Sequence, residues 1–182
     1  SGMVYLFLAD GFEEIEALCC TDILRRAGIE VNMVGVEKTG VRGAHGITVL
    51  CDVTITEADI KKTEAVILPG GLGGTDIMKK NADVKKFINY AYKNGKKVCA
   101  ICAAPSILGE MGLLNGKKAT CYPGFEKSFA GGTYTEAAVQ TDGNVITSKA
   151  MGTAYDFAFE IVKAIKGEET AQRVKNEIYY AG

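Results

Sequence analysis

Cys102 lies in Lys97-Val98-Cys99-Ala100-Ile101-Cys102-Ala103-Ala104-Pro105. Val98 to Ile101 is a short apolar run and reads as a buried parallel strand. Pro105 suits the first turn of a helix, where its missing N–H costs nothing. The thiol is therefore expected at a tight strand-to-helix turn. There the helix dipole and unpaired N–H groups favour a thiolate, and the geometry is that of a nucleophile elbow. A buried structural cysteine is the alternative.

Glu16 is the candidate partner. On a helix at 100° per residue it falls between Ile23 and Ala27, inside the apolar arc. Asp22 and Arg26 share that arc but can pair with each other at i,i+4. Glu16 has no cation three or four residues away. An unpaired interior carboxyl has its pKa raised by desolvation and suits proton transfer beside a thiol; a merely solvated Glu16 is the alternative. Glu13 and Glu14 read as first-turn acids favoured by the helix dipole.

Leu68-Pro69-Gly70-Gly71-Leu72-Gly73-Gly74 follows a strand and leads towards a helix at Thr75. It fits neither the phosphate-binding loop nor the dinucleotide fingerprint. Its N–H groups can form an anion-binding nest and, with that of Ala103, an oxyanion hole. A turn that simply needs positive φ explains it equally well. The one histidine, His45, sits in a glycine-punctuated loop and reads as a surface or interface residue rather than a base. Tyr122 is a candidate pocket-lining residue, although a phenol is a poor base at neutral pH.

The elements that must position these residues alternate between strand and helix. Strands are read at Val4–Ala9, Glu30–Val36, Ile47–Leu50, Ala65–Leu68 and Val98–Ile101, and helices at Glu13–Ala27, Asp83–Lys93 and from Pro105 to about Met111. A hairpin is read across Asp142-Gly143-Asn144, then helices at Thr153–Ile165 and Glu168–Ile178. This is an α/β pattern: one domain over residues 3–182, with a mostly parallel sheet and helices on both faces. Ser1-Gly2 ahead of Met3 is read as an expression remnant. Ligands in such sheets bind at the carboxyl ends of the strands, where Asp10-Gly11-Phe12, the glycine-rich turn and Cys102 would converge.

At 182 residues, 47% hydrophobic and with a formal charge of −1, the chain gives no reason to expect nucleic acid or an anionic membrane as partner. No apolar run approaches a membrane span, and the start lacks signal-peptide features. Its six cysteines, several in apolar runs, read as reduced cytoplasmic thiols. Cys99 and Cys102 form a C-x-x-C spacing but, three apart along a strand, are expected on opposite faces. No metal or cofactor motif is visible: a second Cys/His pair is lacking.

These residues together resemble the ThiJ/PfpI superfamily, nearest to its DJ-one (parkinsonism-associated protein deglycase) branch. The motifs are Leu8-Ala9-Asp10-Gly11-Phe12-Glu13-Glu14-Ile15-Glu16, Arg25-Arg26-Ala27-Gly28, Leu68-Pro69-Gly70-Gly71, Ala100-Ile101-Cys102-Ala103-Ala104-Pro105 and Gly152-Thr153. The resemblance implies a flavodoxin-like three-layer sandwich, as in class I glutamine amidotransferases, and a homodimer. It implies Cys102 as an oxidation-sensitive nucleophile, Glu16 as its partner carboxyl, and backbone N–H groups around Gly70, Gly71 and Ala103 as the oxyanion hole. Arg26, His45 and Cys51 correspond to the dimer contact region.

Two departures matter. The protease and stress-chaperone branches carry His directly after the nucleophile, where this chain has Ala103; that counts against a peptidase. The deglycase branch usually has a pocket His where Tyr122 stands. The expected function is a cofactor-independent Cys–Glu enzyme on small reactive carbonyls or glycated adducts, converting methylglyoxal to lactate. The alternative is a non-enzymatic oxidative-stress sensor or redox-regulated chaperone; nothing in the residues argues for a thiazole or thiamine pathway.

Overall fold

The computed structural model describes residues 2–182. The strands are β1 (Met3–Leu8), β2 (Val31–Gly35), β3 (Gly40–Arg42), β4 (Thr48–Leu50), β5 (Val53–Thr54), β6 (Thr63–Leu68), β7 (Lys97–Ile101), β8 (Lys118–Ala119), β9 (Thr133–Tyr134), β10 (Val139–Asp142) and β11 (Val145–Ser148). The helices are α1 (Glu14–Arg26), α2 (Leu72–Lys80), α3 (Ala82–Lys93), α4 (Pro105–Glu110), α5 (Ala154–Lys166) and α6 (Glu168–Glu177).

Seven strands form one sheet in the order β10-β11-β7-β6-β1-β2-β5. Every neighbouring pair is parallel except β10–β11, the expected hairpin. Strand periodicity divides the core between the two faces. Val4, Leu6 and Leu8 pack with α1, α5 and α6, while Tyr5, Phe7 and Ala9 pack with α2, α3 and α4. The expected mostly parallel sheet with helices on both faces is therefore present.

Two pieces differ from expectation. The strand expected at Ile47–Leu50 does not join the main sheet; its Thr48–Leu50 part pairs antiparallel with β3 as a separate ribbon. Helix α2 begins at Leu72, ahead of Thr75, and runs through Gly73 and Gly74 despite their poor helix propensity. Packing explains this. A Cβ at Gly74 would meet Phe12 N at 3.0 Å, and one at Gly73 would meet Asp10 O at 3.3 Å. The glycines let α2 press its N-terminus onto the loop after β1.

Chain order moves outward from β1 in both directions, with β2 on one side and β6 on the other. This is a topological switch point, and the crevice beyond the carboxyl ends of β1, β6 and β7 is where such sheets bind ligands.

Candidate active site

Cys102 is one of only two non-glycine residues with positive φ among the described residues, at 66°. The left-handed conformation is costly for a side-chain-bearing residue and persists only when its surroundings enforce it. Here both sides are tied. The Cys102 N–H donates to Ser148 O (3.0 Å), and Cys102 O accepts from the Tyr122 N–H (2.8 Å). Pro105 opens α4 immediately afterwards. The sharp turn lifts the sulfur out of the strand and into the crevice.

Glu16 comes from α1 and is 1% exposed. Its N–H is capped by Glu13 Oε2 at 3.0 Å. Its Oε1 accepts the Gly70 N–H at 2.8 Å, and the carboxyl lies close enough to Cys102 for each group to shift the other's proton affinity. Oε2 has no partner among the described residues. Burial pushes the Glu16 carboxyl up to about 7; the Gly70 N–H opposes this, and the Glu13 charge adds to it.

Gly70 and Gly71 make the approach possible. A Cβ at Gly70 would lie 2.6 Å from Glu16 Oε1 and 2.7 Å from Cys102 Cβ. Gly71 has φ 95°, and a Cβ there would overlap Gly11 O. Because the Gly70 N–H already serves Glu16, its expected place in an oxyanion hole is not available. The Gly71 N–H donates to no acceptor among the described residues, and the Ala103 N–H favours the ionised form of the Cys102 sulfur.

The expected ready-made thiolate is not what the surroundings favour. Burial, then the charge and hydrogen bond of Glu16, push the Cys102 thiol up to about 12, with the Ala103 N–H opposing. α4 spans six residues and is too short to offset burial. Two coupled groups titrate as a unit. Of the two groups, the Glu16 carboxyl is the more readily ionised and the Cys102 thiol the less.

The C-x-x-C reading also changes. The turn brings Cys102 against the same core cluster as Cys99, so the two are not on opposite faces. All six cysteines are free, and burial raises the Cys99 thiol strongly.

Glu14 is more than a dipole residue. It is 3% exposed. Its Oε2 accepts the N–H groups of His45 (2.7 Å) and Ile47 (3.3 Å), and its Oε1 bonds His45 Nδ1 at 2.9 Å. Burial pushes this carboxyl up, but these bonds and its own N–H outweigh it and hold it at about 2. Glu14 pins the loop between β3 and β4, whose Gly43 leaves room for the carboxylate. Sequence reasoning missed this role; the unusual Gly43 and Gly46 on either side of His45 were the available signal.

His45 is 70% exposed at its side chain and lies 3.5 Å from Glu13 Oε1. Glu13, Glu14 and His45 have ligand-type atoms within 4.8 Å of one another, but Glu14 is already satisfied by the loop it holds. Tyr122 is half exposed and packs edge-on to Phe125, and its backbone bond places it beside Cys102. Arg26 is exposed and paired with Asp22 at 2.5 Å, as the i,i+4 spacing predicts. Cys51 is buried in the core.

The DJ-1/PfpI family profile matches residues 3–164. Protein dj-1beta of Drosophila melanogaster is 35% identical over 179 residues, covering 97% of this chain and 96% of that protein. A protein of Pyrococcus horikoshii named a deglycase is 32% identical over 167 residues, covering 90% of this chain and 100% of that one. Against DJ-1 homolog B of Arabidopsis thaliana identity is 36% over 178 residues, and the chain spans only 41% of that longer relative. The crystal structure of Drosophila DJ-1beta superposes with a TM-score of 0.94 at 34% identity over 100% of both chains. Oxidized Toxoplasma gondii DJ-1 does so with a TM-score of 0.95 at 30% identity, also over 100% of both. The chain belongs to the DJ-1/PfpI family.

Proposed function

We propose that this protein is a cysteine-dependent enzyme acting on small reactive carbonyls, a glyoxalase or deglycase in which Cys102 is the nucleophile and Glu16 the proton carrier. The observation that carries the reading is the Glu16 carboxyl. It is buried, bonded to the Gly70 N–H, set beside Cys102, and left with one oxygen free. A wholly structural carboxyl would be expected to have both oxygens satisfied. The deglycase name of the archaeal relative supports the same reaction class.

For an α-oxoaldehyde the chemistry balances without an outside oxidant. Glu16 takes the S–H proton as sulfur bonds the aldehyde carbon, and returns it to the new oxyanion near the Gly71 and Ala103 N–H groups. Glu16 then removes the proton on that carbon while the adjacent ketone oxygen takes the proton of the newly formed hydroxyl, giving an enediolate. Returning the proton to the second carbon leaves the thioester of a 2-hydroxy acid. Water cleaves the thioester and restores the thiol. Methylglyoxal plus water gives lactate.

A second reading has its own support: the Glu16 carboxyl and the Ala103 N–H both act on the sulfur and would hold a sulfinate. A homodimer is proposed with α1 at its interface. A groove of ≈ 770 Å³ runs along α1, lined by Ile15, Leu18, Ile23, Arg26 and Tyr155 among others, and Ile15 and Tyr155 are about half exposed. No helix among the described residues is long and apolar enough to cross a membrane.

The test is methylglyoxal consumption with glutathione left out and Cys102→Ala as control. Turnover that vanishes in the variant supports the enzyme. Turnover no greater than the variant's transfers the site to the sensor reading, which requires peroxide to add mass at Cys102 before the other thiols.

A further inference from the structure

The loop between β3 and β4 brings an ionisable ring to the start of α1. His45 Nδ1 lies 2.9 Å from Glu14 Oε1 and 3.5 Å from Glu13 Oε1. Glu13 faces both ways: Oε1 looks to the ring, and Oε2 accepts the Glu16 N–H at 3.0 Å. Only 12% of the Glu13 side chain is exposed, so its charge is less screened than that of a surface carboxylate. That charge is one of the two causes that raise the Glu16 carboxyl.

The ring is held in a way that does not depend on its charge. The His45 backbone N–H donates to Glu14 Oε2 at 2.7 Å. Glu14 stays ionised and accepts only, so Nδ1 carries hydrogen and keeps its bond whether or not Nε2 holds a proton. Loss of the second ring proton therefore changes the charge beside Glu13 and leaves the contact in place. The Glu14 bond and charge, then the Glu13 charge, push the ring up from its ordinary value. It thus changes charge near the range in which Glu16, pushed up to about 7, ionises.

The other charged groups nearby do not do this work. Glu16 itself is faced by Glu13 and by the Cys102 thiol. Arg42 brings a second cation to the loop, 3.0 Å from where a Cβ at Gly46 would stand, but no Lys or Arg pairs with Glu13, Glu14 or Glu16 among the described residues. Asp10 is answered by Lys38 at 2.8 Å.

We propose that His45 is a positioning residue of this site: its imidazolium, fixed against Glu13 and Glu14, offsets the Glu13 charge and so sets the pH range over which Glu16 exchanges its proton. The inference rests on the reading of Glu16 as proton carrier.

The test needs no turnover. Glutamate side-chain carboxyl carbons labelled with carbon-13 are titrated by NMR, and the Glu16 signal is the one missing from Glu16→Gln. His45, the only histidine in the chain, is followed by its ring protons. His45→Gln moves the Glu16 midpoint up by about 0.3–1 pH unit. His45→Lys, whose charge persists through the range, moves it down and steepens it. Glu13→Gln, which keeps an oxygen to cap the Glu16 N–H, also moves it down. By reciprocity the His45 ring loses its proton at lower pH in Glu16→Gln. The rising limb of kcat/KM for methylglyoxal follows the Glu16 midpoint in each variant. A Glu16 midpoint that stays put in His45→Gln, or that moves the same way in the Gln and Lys variants, overturns the proposal and leaves the enzyme reading intact. A midpoint that moves as stated while the kcat/KM limb does not follow overturns Glu16 as proton carrier, and the part given to His45 falls with it.

Discussion

Glu14 and Glu16 stand two residues apart on one helix, are both nearly inaccessible to solvent, and hold their protons in opposite ways. Glu14 accepts two loop N–H groups and the His45 ring and is held at about 2. Glu16 accepts one N–H, keeps an oxygen without a partner, and is pushed up to about 7. Neither carboxyl reaches solvent, but Glu16 lies deeper, so depth of burial and hydrogen-bond supply together decide the outcome. The satisfied carboxylate holds a loop in place. The under-satisfied one is free to exchange a proton, and it is the one beside the sulfur.

The sharpest way to break this contrast is to exchange the chemistry of one carboxyl. Glu16→Gln keeps an acceptor for the Gly70 N–H but carries no proton, and turnover of methylglyoxal is expected to fall about 10²–10⁴-fold. Glu14→Gln is expected to leave turnover within a few-fold of wild type. If both variants lose turnover alike, the division of labour is wrong.

Gly70→Ala tests the packing that creates the difference. Its Cβ would lie 2.6 Å from Glu16 Oε1 and 2.7 Å from Cys102 Cβ, so the pair must separate. Turnover is expected to drop about 10²-fold in a protein whose far-ultraviolet circular dichroism is unchanged.

Stability against pH separates the two with opposite signs. Glu16 is raised on folding, so the native state binds more protons than the unfolded chain between the model-peptide value and about 7. Stability therefore falls as pH rises through that window, by about 3 kcal/mol in all, and Glu16→Gln flattens this slope. Glu14 is lowered, so its contribution is present above the ordinary carboxylate range and is lost as pH falls towards about 2. Glu14→Gln is expected to be less stable near neutral pH, where chemical denaturation reads the loss directly. The smallest effect is expected of His45→Ala. It removes one exposed ring bond to Glu14 while the backbone N–H bonds remain, so the loss of stability is expected to be slight.

Much of this site was legible because its signals are local. An apolar run stopped by Cys102 and restarted by Pro105 specifies a strand, a turn and a helix in nine residues. The position of Glu16 on the apolar arc foretells its burial. Other features depend on contacts distant in sequence. The β3–β4 ribbon has short strands with mostly exposed residues, so no hydrophobic alternation marks it. Glu14 looked like an ordinary first-turn acid because its partners lie 31 and 33 residues away. The Gly70 N–H looked free for an oxyanion until Glu16, 54 residues earlier, was seen to occupy it. The thiolate expectation failed for the same reason: a helix start is visible in sequence, whereas the depth of burial that outweighs it is not.

The most direct test of the central claim is the pH dependence of kcat/KM for methylglyoxal in wild type and Glu16→Gln. Glu16 as the proton carrier predicts a limb that rises with pH through about 7 as the carboxyl ionises, and its loss in the variant's residual activity. A wild-type profile that is flat across neutral pH, or a limb that survives unchanged in Glu16→Gln, would contradict it.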